Sequence, residues 1–356
     1  MLVYMPRRAK LLSAIVGICA GTVPSASAAS FAIADCGGSV VQIDTASLKP
    51  LAGWQLPKLG WAPAVQDGCV VNSLTYDPWR RLLWTAAPLQ PGLDAQGQRR
   101  YQILAWSVTD SKLIHRIALA ESLTSAPNLL VDSSGVRVAY ETSDGSGAAE
   151  LPLADGTTAE AVLKRSDGGL WFSSQAVLVS HGVIVDGGAQ ISKTASGWEK
   201  KDLAPRNTPS NGRGVMWEYA GSAPTAIVYA APAGSGQTQL FVINPATGQS
   251  TSKRLDGTFL AGELRLAPDG KHMLAVAKNS CRLSLWDLNS ARKSSAATGG
   301  KGPCELVCAG NGGFAIVRDG SKLDLFSPAQ PKLREITISP ADSSTQCAFI
   351  PSGADH

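Results

Sequence analysis

Histidine is scarce: four occur in 356 residues, and their contexts offer little for acid–base chemistry. His272 ends a Pro-Asp-Gly-Lys-His turn, His115 lies in Leu-Ile-His-Arg-Ile, His181 sits in a Val-rich strand, and the fourth is His356. A general base needs a nucleophile or a substrate within hydrogen-bond reach, and none of these segments brings one. The G-x-S-x-G elbow, the H-E-x-x-H helix and the phosphate-binding P-loop are also missing, which removes support from hydrolase and nucleotide-dependent mechanisms that use them. No D-x-D-x-D-G calcium loop occurs, because Asp132, Asp144, Asp155, Asp269 and Asp287 are spread among separate turns. No metal site and no cofactor are therefore expected.

An excess of one charge is lacking too. Lys and Arg number 32 against 28 Asp and Glu, and removal of Arg7, Arg8 and Lys10 with the leader described below leaves 32 − 3 = 29 against 28. A nearly neutral chain has no concentrated basic field for nucleic acid or an anionic membrane. Apolar runs of membrane-spanning length are absent after the N-terminal leader, so no membrane insertion is expected of the mature chain.

That leader has three zones. A basic stretch with Arg7, Arg8 and Lys10 precedes an apolar run from Leu11 to Val23 and a small-residue run from Pro24 to Ser30. This is the pattern of a secretory signal, and Ala26 and Ala28 place cleavage after Ala28. Ile18 before Cys19 is wrong for a lipidated cysteine, and Pro6 and Lys10 fit a twin-arginine signal poorly. The expected organisation is a signal peptide over 1–28 and one domain over 29–356, destined for the periplasm or the medium.

Of 7 cysteines, Cys19 leaves with the signal, and Cys36, Cys69, Cys281, Cys304, Cys308 and Cys347 remain. An even number in an exported chain favours disulfides. A metal site would rest on Cys304 and Cys308, for which no second close pair or nearby His exists.

What fills the rest of the chain is a procession of short apolar runs between Gly, Asp, Asn, Ser and Pro, without helical period. That is an all-β pattern. The clearest unit is Leu264 to Gly270, His272 to Ala277 and Arg282 to Leu288, which reads as strand, turn, strand, turn, strand. Copies run from Leu74 through Leu82–Ala86 to Ile103–Val108, from Leu129 through Val136–Glu141, and from Ala226–Ala231 to Leu240–Asn244. Polar turns after third strands fall at Asp44, Thr109, Asp155, Asn244, Asn289 and Ser327, in steps of 65, 46, 89, 45 and 38. The longest step holds two units, one of them divergent between Gly169 and Leu203, and the step of 65 holds an insertion from Pro88 to Arg100. A period of about 45 residues predicts about seven four-stranded antiparallel blades, a β-propeller whose neighbouring sheets bury each other's faces. Gln346 to Gly353 looks like the first strand of a unit, and Phe31–Cys36 with Ser39–Asp44 like its second and third. The ends of the chain are thus expected to share one blade and close the ring.

The Ala267-Pro-Asp-Gly270 turn and the Leu285-Trp-Asp-Leu288 strand resemble the blades of WD40-like and YVTN-type bacterial propellers. Their broader group includes the β (heavy) chain of quinoprotein amine dehydrogenases, also an exported ring. The resemblance implies a fold and leaves function to the site. Arg165 to Trp171 is also similar to the Asp-box turn of sialidase propellers, in a single copy with Arg165 where Ser is expected; such boxes are structural.

Function is then read from loops. Second-to-third-strand loops and inter-blade connections emerge on one side of a propeller, and the longest irregular segments, Pro57–Gly68, Pro88–Arg100 and Pro205–Gly214, are of these kinds. Trp61, Arg99, Arg100, Arg206 and Arg213 are the candidate binding residues, whereas Trp84, Trp106 and Trp286 fall inside strands and are expected to pack between blades. The expected function is a non-enzymatic scaffold that binds another periplasmic or extracellular protein, or a glycan. The alternatives are the β-type (heavy) subunit of a periplasmic quinoprotein amine dehydrogenase, with no redox cofactor of its own, and a lactonase-like or lyase-like enzyme. Repeat phase pairs Cys36 with Cys69, Cys281 with Cys304, and Cys308 with Cys347. The main rival joins Cys36 to Cys347, and a Cys304–Cys308 bond is disfavoured because four residues of extended chain span about 13 Å, against about 7 Å for the Cα atoms of a disulfide.

Overall fold

The computed structural model describes residues 29–352 other than 35–38, 56–72, 90–92, 132, 143–144, 154–158, 162–176, 181–182, 187–188, 195–196, 204–215, 220–226, 235–236, 245–246, 248, 257–263, 278–281, 291–292, 299–303, 320–321, 329 and 337–345. The leader, the Asp-box-like segment, His181 and His356 lie outside the described residues.

Strands follow the Val, Ile, Leu and aromatic runs, as β-propensity and burial together dictate. The first sheet takes β1 (Ser30–Ala34), β2 (Ser39–Asp44) and β3 (Pro50–Gln55). The second takes β4 (Ser73–Asp77), β5 (Leu82–Pro88), β6 (Arg99–Ser107) and β7 (Leu113–Leu123). The third takes β8 (Asn128–Val131), β9 (Val136–Thr142) and β10 (Gly145–Glu150), after which comes β11 (Ala159–Ala161). The fourth holds β12 (Val177–Ser180), β13 (Val183–Asp186), β14 (Ala189–Thr194) and β15 (Gly197–Asp202). The fifth holds β16 (Met216–Tyr219), β17 (Ile227–Gly234), β18 (Gln237–Ile243) and β19 (Ser250–Asp256). The sixth is β20 (Leu264–Leu266), β21 (His272–Ala277), β22 (Arg282–Asp287) and β23 (Lys293–Thr298). The seventh is β24 (Cys304–Gly310), β25 (Phe314–Asp319), β26 (Lys322–Ser327) and β27 (Gln330–Ile336). The last strand, β28 (Gln346–Ile350), returns to the first sheet and pairs antiparallel with β1, Ala32 opposite Ala348. First and last strands therefore share one blade, in the order β28, β1, β2, β3.

Core residues lie between sheets. Leu83, Leu104 and Trp106 of the second sheet pack with Ala32, Val40 and Ile350 of the first. Trp84, Ile103 and Ile117 meet Leu129, Val138 and Tyr140 of the third. Leu240 meets Met273 and Trp286 across the fifth and sixth sheets, Leu274 and Leu285 meet Leu306 and Phe326 across the sixth and seventh, and Ile316 and Leu325 meet Phe31 and Phe349 across the seventh and first. A sheet covered on both faces needs apolar residues on both, which is why β5 reads Leu-Leu-Trp-Thr-Ala-Ala-Pro and is buried along its whole length.

The expectation of four antiparallel strands in every blade needs one correction. Among the described residues the third sheet has three strands and the second has five, because β11 runs parallel to β7, Ala159 opposite Ile117. The physical reason lies just after β10. Leu151 is 3% exposed and joins the core between the second and third sheets, with Leu153 packed against it, and its N–H donates to the Val136 carbonyl (2.8 Å). Burying those two leucines draws the chain toward the second sheet's outer edge.

Candidate functional site

Antiparallel order puts the first-to-second and third-to-fourth turns of every blade at one end, and the remaining connections at the other. The two ends differ in build. At the first end the turns are short and several are closed by a side chain. Asp77 Oδ1 accepts from the N–H groups of Trp79 and Arg80 (both 3.0 Å), Asp269 Oδ1 from Lys271 (2.8 Å) and His272 (3.1 Å), and Asp287 Oδ1 from Asn289 (2.8 Å) and Ser290 (3.2 Å). Short polar side chains that mimic a turn in this way favour Asp and Ser at such positions.

The same end also ties blades together. Gly312 N–H donates to Asp269 Oδ2 (2.8 Å), linking the sixth and seventh sheets. Arg80 Nη2 donates to the Ser133 carbonyl (3.4 Å), linking second and third. Arg334 donates to the Thr45 (2.9 Å) and Ala46 (3.0 Å) carbonyls, linking seventh and first.

The opposite end carries the long connections 56–72, 89–98 and 203–215. Of the residues singled out in sequence, Trp61, Arg206 and Arg213 lie outside the described residues. Arg99 and Arg100 are described, and their placement is corrected: the irregular insertion stops at Gln98, and both arginines open β6. The hairpin simply continues, with Pro88 opposite Tyr101 and Leu89 N–H donating to the Arg100 carbonyl (2.8 Å). Arg99 is 6% exposed, and Arg100 Nη2 donates to the Leu119 carbonyl (3.3 Å). The exposed large apolar side chain among the described residues of this hairpin is Leu93, at 57%.

Asp94 organises the loop tip. Its Oδ1 accepts from Gln96 N–H (3.0 Å) and Gln98 N–H (2.8 Å), and its carbonyl from Gly97 N–H (3.0 Å), with Gly97 at φ +74. A positive φ at this turn suits glycine. The Gln98 N–H, more than the smaller contributions of Ser122 and Gln96, holds the Asp94 carboxyl below the usual carboxylate range. A depressed carboxyl pKa stabilises the fold above the unfolded value, and that contribution is lost as pH falls through the folded value. Amide exchange should therefore show Gln96 and Gln98 protected near neutrality and unprotected at acid pH. An unchanged profile in Asp94→Asn would refute the role.

The histidines that are described have structural partners. His115 stacks on Trp84 (5.6 Å between ring centres, planes at 5°), and His272 Nδ1 lies 2.8 Å from Asp269 Oδ2. Among the described residues no group of three His, Cys, Asp or Glu side chains is placed to hold a metal ion. Trp84, Trp106 and Trp286 are buried between sheets as expected, at 0%, 3% and 3% exposed. Trp79 was not singled out in sequence; it is 46% exposed, in the turn after Asp77 at the short-turn end. Its signal was its place behind Asp77-Pro78, where a closed turn leaves the third residue outside.

Cys308 and Cys347 form a disulfide with Cα atoms 5.7 Å apart. That excludes both the rival Cys36–Cys347 bond and a Cys304–Cys308 bond. Cys304 is also disulfide-bonded, and Cys36, Cys69 and Cys281 lie outside the described residues.

No protein-family model and no curated protein matches the sequence. Among solved structures, the chain superposes on AztD from Citrobacter koseri with a TM-score of 0.50 and 12% identity, over 92% of this chain and 100% of that one. A putative 6-phosphogluconolactonase from Bacteroides fragilis gives 0.51 and 12%, over 90% and 98%. Both are propeller-type folds. This chain is a β-propeller. At such identities the likeness concerns the fold alone. Among the described residues no helix is long and apolar enough to cross a membrane.

Proposed function

We propose that the chain is an exported propeller of the WD40-like/YVTN type, its seven sheets closed into a ring, that binds a protein partner through the end carrying the long connections. One observation carries this reading: the short-turn end is occupied by side-chain-closed turns and by bonds between blades, whereas the connections 56–72, 89–98, 162–176 and 203–215 leave from the other end. Loops held on a rigid scaffold are where binding residues concentrate. An exposed aliphatic group such as Leu93 suits a protein surface better than a sugar. Export is supported by the Cys308–Cys347 disulfide. The Ala29 carbonyl accepts from Thr45 N–H (3.1 Å) and Thr45 Oγ1 (2.8 Å). Cleavage after Ala28 keeps both bonds.

The test is crosslinking capture from the periplasmic extract of the host, with the bait's N-terminus sequenced. The bait should begin at Ala29. Replacing 90–97 by a tight Asn-Gly turn, combined with Trp61→Ala, should reduce capture of a stoichiometric protein by about tenfold or more. Trp79→Ala, at the other end, should leave capture unchanged. Equal capture by the loop variant overturns the proposal; a small quinone-bearing chain as the captured partner identifies the amine dehydrogenase reading, and binding only to a glycan replaces the protein partner.

A further inference from the structure

Most innermost strands are fastened to their sheets by the chain itself. β4, β8, β20 and β24 pass into their partners through residues 78–81, 132–135, 267–271 and 311–313. Joining strands through so few residues costs little loop-closure entropy, a cost that grows with the logarithm of loop length. β28 has no such turn. Its partner β1 lies at the other end of the chain, so five residue pairs, Ser30 with Ile350 through Ala34 with Gln346, must form without a hairpin. This is the strand that carries a cysteine bonded to the neighbouring blade: Cys347 of β28 joins Cys308 of β24.

We propose that the Cys308–Cys347 bond takes the place of the missing hairpin and makes β28 a redox-addressable latch, released from β1 by a dithiol reductant while the other sheets stay folded. The bond closes a segment of sequence separation 39, far shorter than the route through the whole domain. β28 is flanked by β24 and β4, and Phe349 packs edge-on against Phe31 (5.1 Å). These contacts seat the strand but do not tether it. Cys347 is partly exposed and Cys308 is 6% exposed, so a thiolate of the reductant attacks the Cys347 sulfur and Cys308 leaves as thiolate, taking a proton from water. The reductant's second thiol then attacks its own mixed-disulfide sulfur and frees Cys347 as a thiol. The disulfide gains the electron pair that the dithiol loses in becoming a cyclic disulfide.

Amide hydrogen exchange followed by mass spectrometry tests this on the folded full-length mature protein, before and after dithiothreitol. Peptides covering 346–350 and 30–34 should exchange about tenfold faster or more after reduction, while those covering 82–107, which hold no cysteine, change less than about twofold. Cys308→Ser with Cys347→Ser should reproduce the effect without reductant, which separates this bond from the one at Cys304. Unchanged exchange at 346–350 overturns the latch, and so does equal acceleration in all sheets, since the bond would then hold the whole domain rather than one strand.

Discussion

Trp84→Ala is expected to lower stability by about 3–5 kcal/mol, the range for deleting a large buried aromatic. Three losses coincide at this position. The side chain is fully buried and belongs to the core shared by the second and third sheets, with Leu129, Val131 and Tyr140 on the far side. Its ring stacks on His115 (5.6 Å). Its Nε1–H donates to Asp77 Oδ2 (3.2 Å), an oxygen that also takes Arg80 Nη1 (2.9 Å). Asp77 is itself fully buried, so losing one donor leaves a buried carboxylate less satisfied, at about 1–3 kcal/mol. Trp84→Phe keeps most of the volume while losing the N–H and part of the indole, and should therefore cost clearly less than Trp84→Ala. Urea unfolding of both variants measures the difference. A cost below about 1 kcal/mol for Trp84→Ala would mean that this interface relaxes around the cavity.

How far the sequence reaches is visible at particular residues. Asp287 and Asn244 stand at the ends of third strands, and each closes a turn by accepting main-chain N–H groups; polar turn residues at a regular spacing therefore disclosed the blade period. Two of the turn positions read from spacing, Thr109 and Asn289, lie in their turns as expected, each closed by a side chain two residues before it. The closing side chains are Ser107 and Asp287, which accept from Thr109 and Asn289, because a side chain reaches the N–H two residues ahead of it. The shared blade was legible because Gln346–Ile350 and Ser30–Asp44 each have the phase of one part of a unit, and the Cys308–Cys347 bond followed from that phase. The parallel strand β11 was not legible: it depends on Leu151 and Leu153 burying against a different sheet, which no local pattern encodes. Arg99 shows the limit at the end with the long connections. An arginine beside a Gly- and Gln-rich insertion reads as exposed, yet the hairpin continues past it and leaves it 6% exposed. Register across a hairpin depends on both strands at once, and the loop alone does not disclose it.

Gly310 is the second position where a large effect is expected, and here the cause is contact alone. Its backbone, at φ −128 and ψ 164, is extended, a conformation open to any residue. A Cβ placed there would lie 2.5 and 2.7 Å from Phe349 Cδ2 and Cε2 and 2.9 Å from Phe31 Cζ. Both rings are buried, at 7% and 1% exposed, in the seam between the seventh and first sheets. Neither ring is the free end of a flexible side chain, so the seam must widen. Gly310→Ala should cost about 1–3 kcal/mol, the usual range for overpacking, and Gly310→Val should reach or exceed its upper end. Phe349→Leu removes the ring atoms nearest the new methyl and should cost roughly 1 kcal/mol or somewhat more by itself. Combined with Gly310→Ala it should cost less than the sum of the two single changes, with a coupling of about 1 kcal/mol or more. Strictly additive costs would place the damage in the β24 backbone, not in contact with Phe349, and would remove the close approach at Gly310 as the reason that glycine is required there.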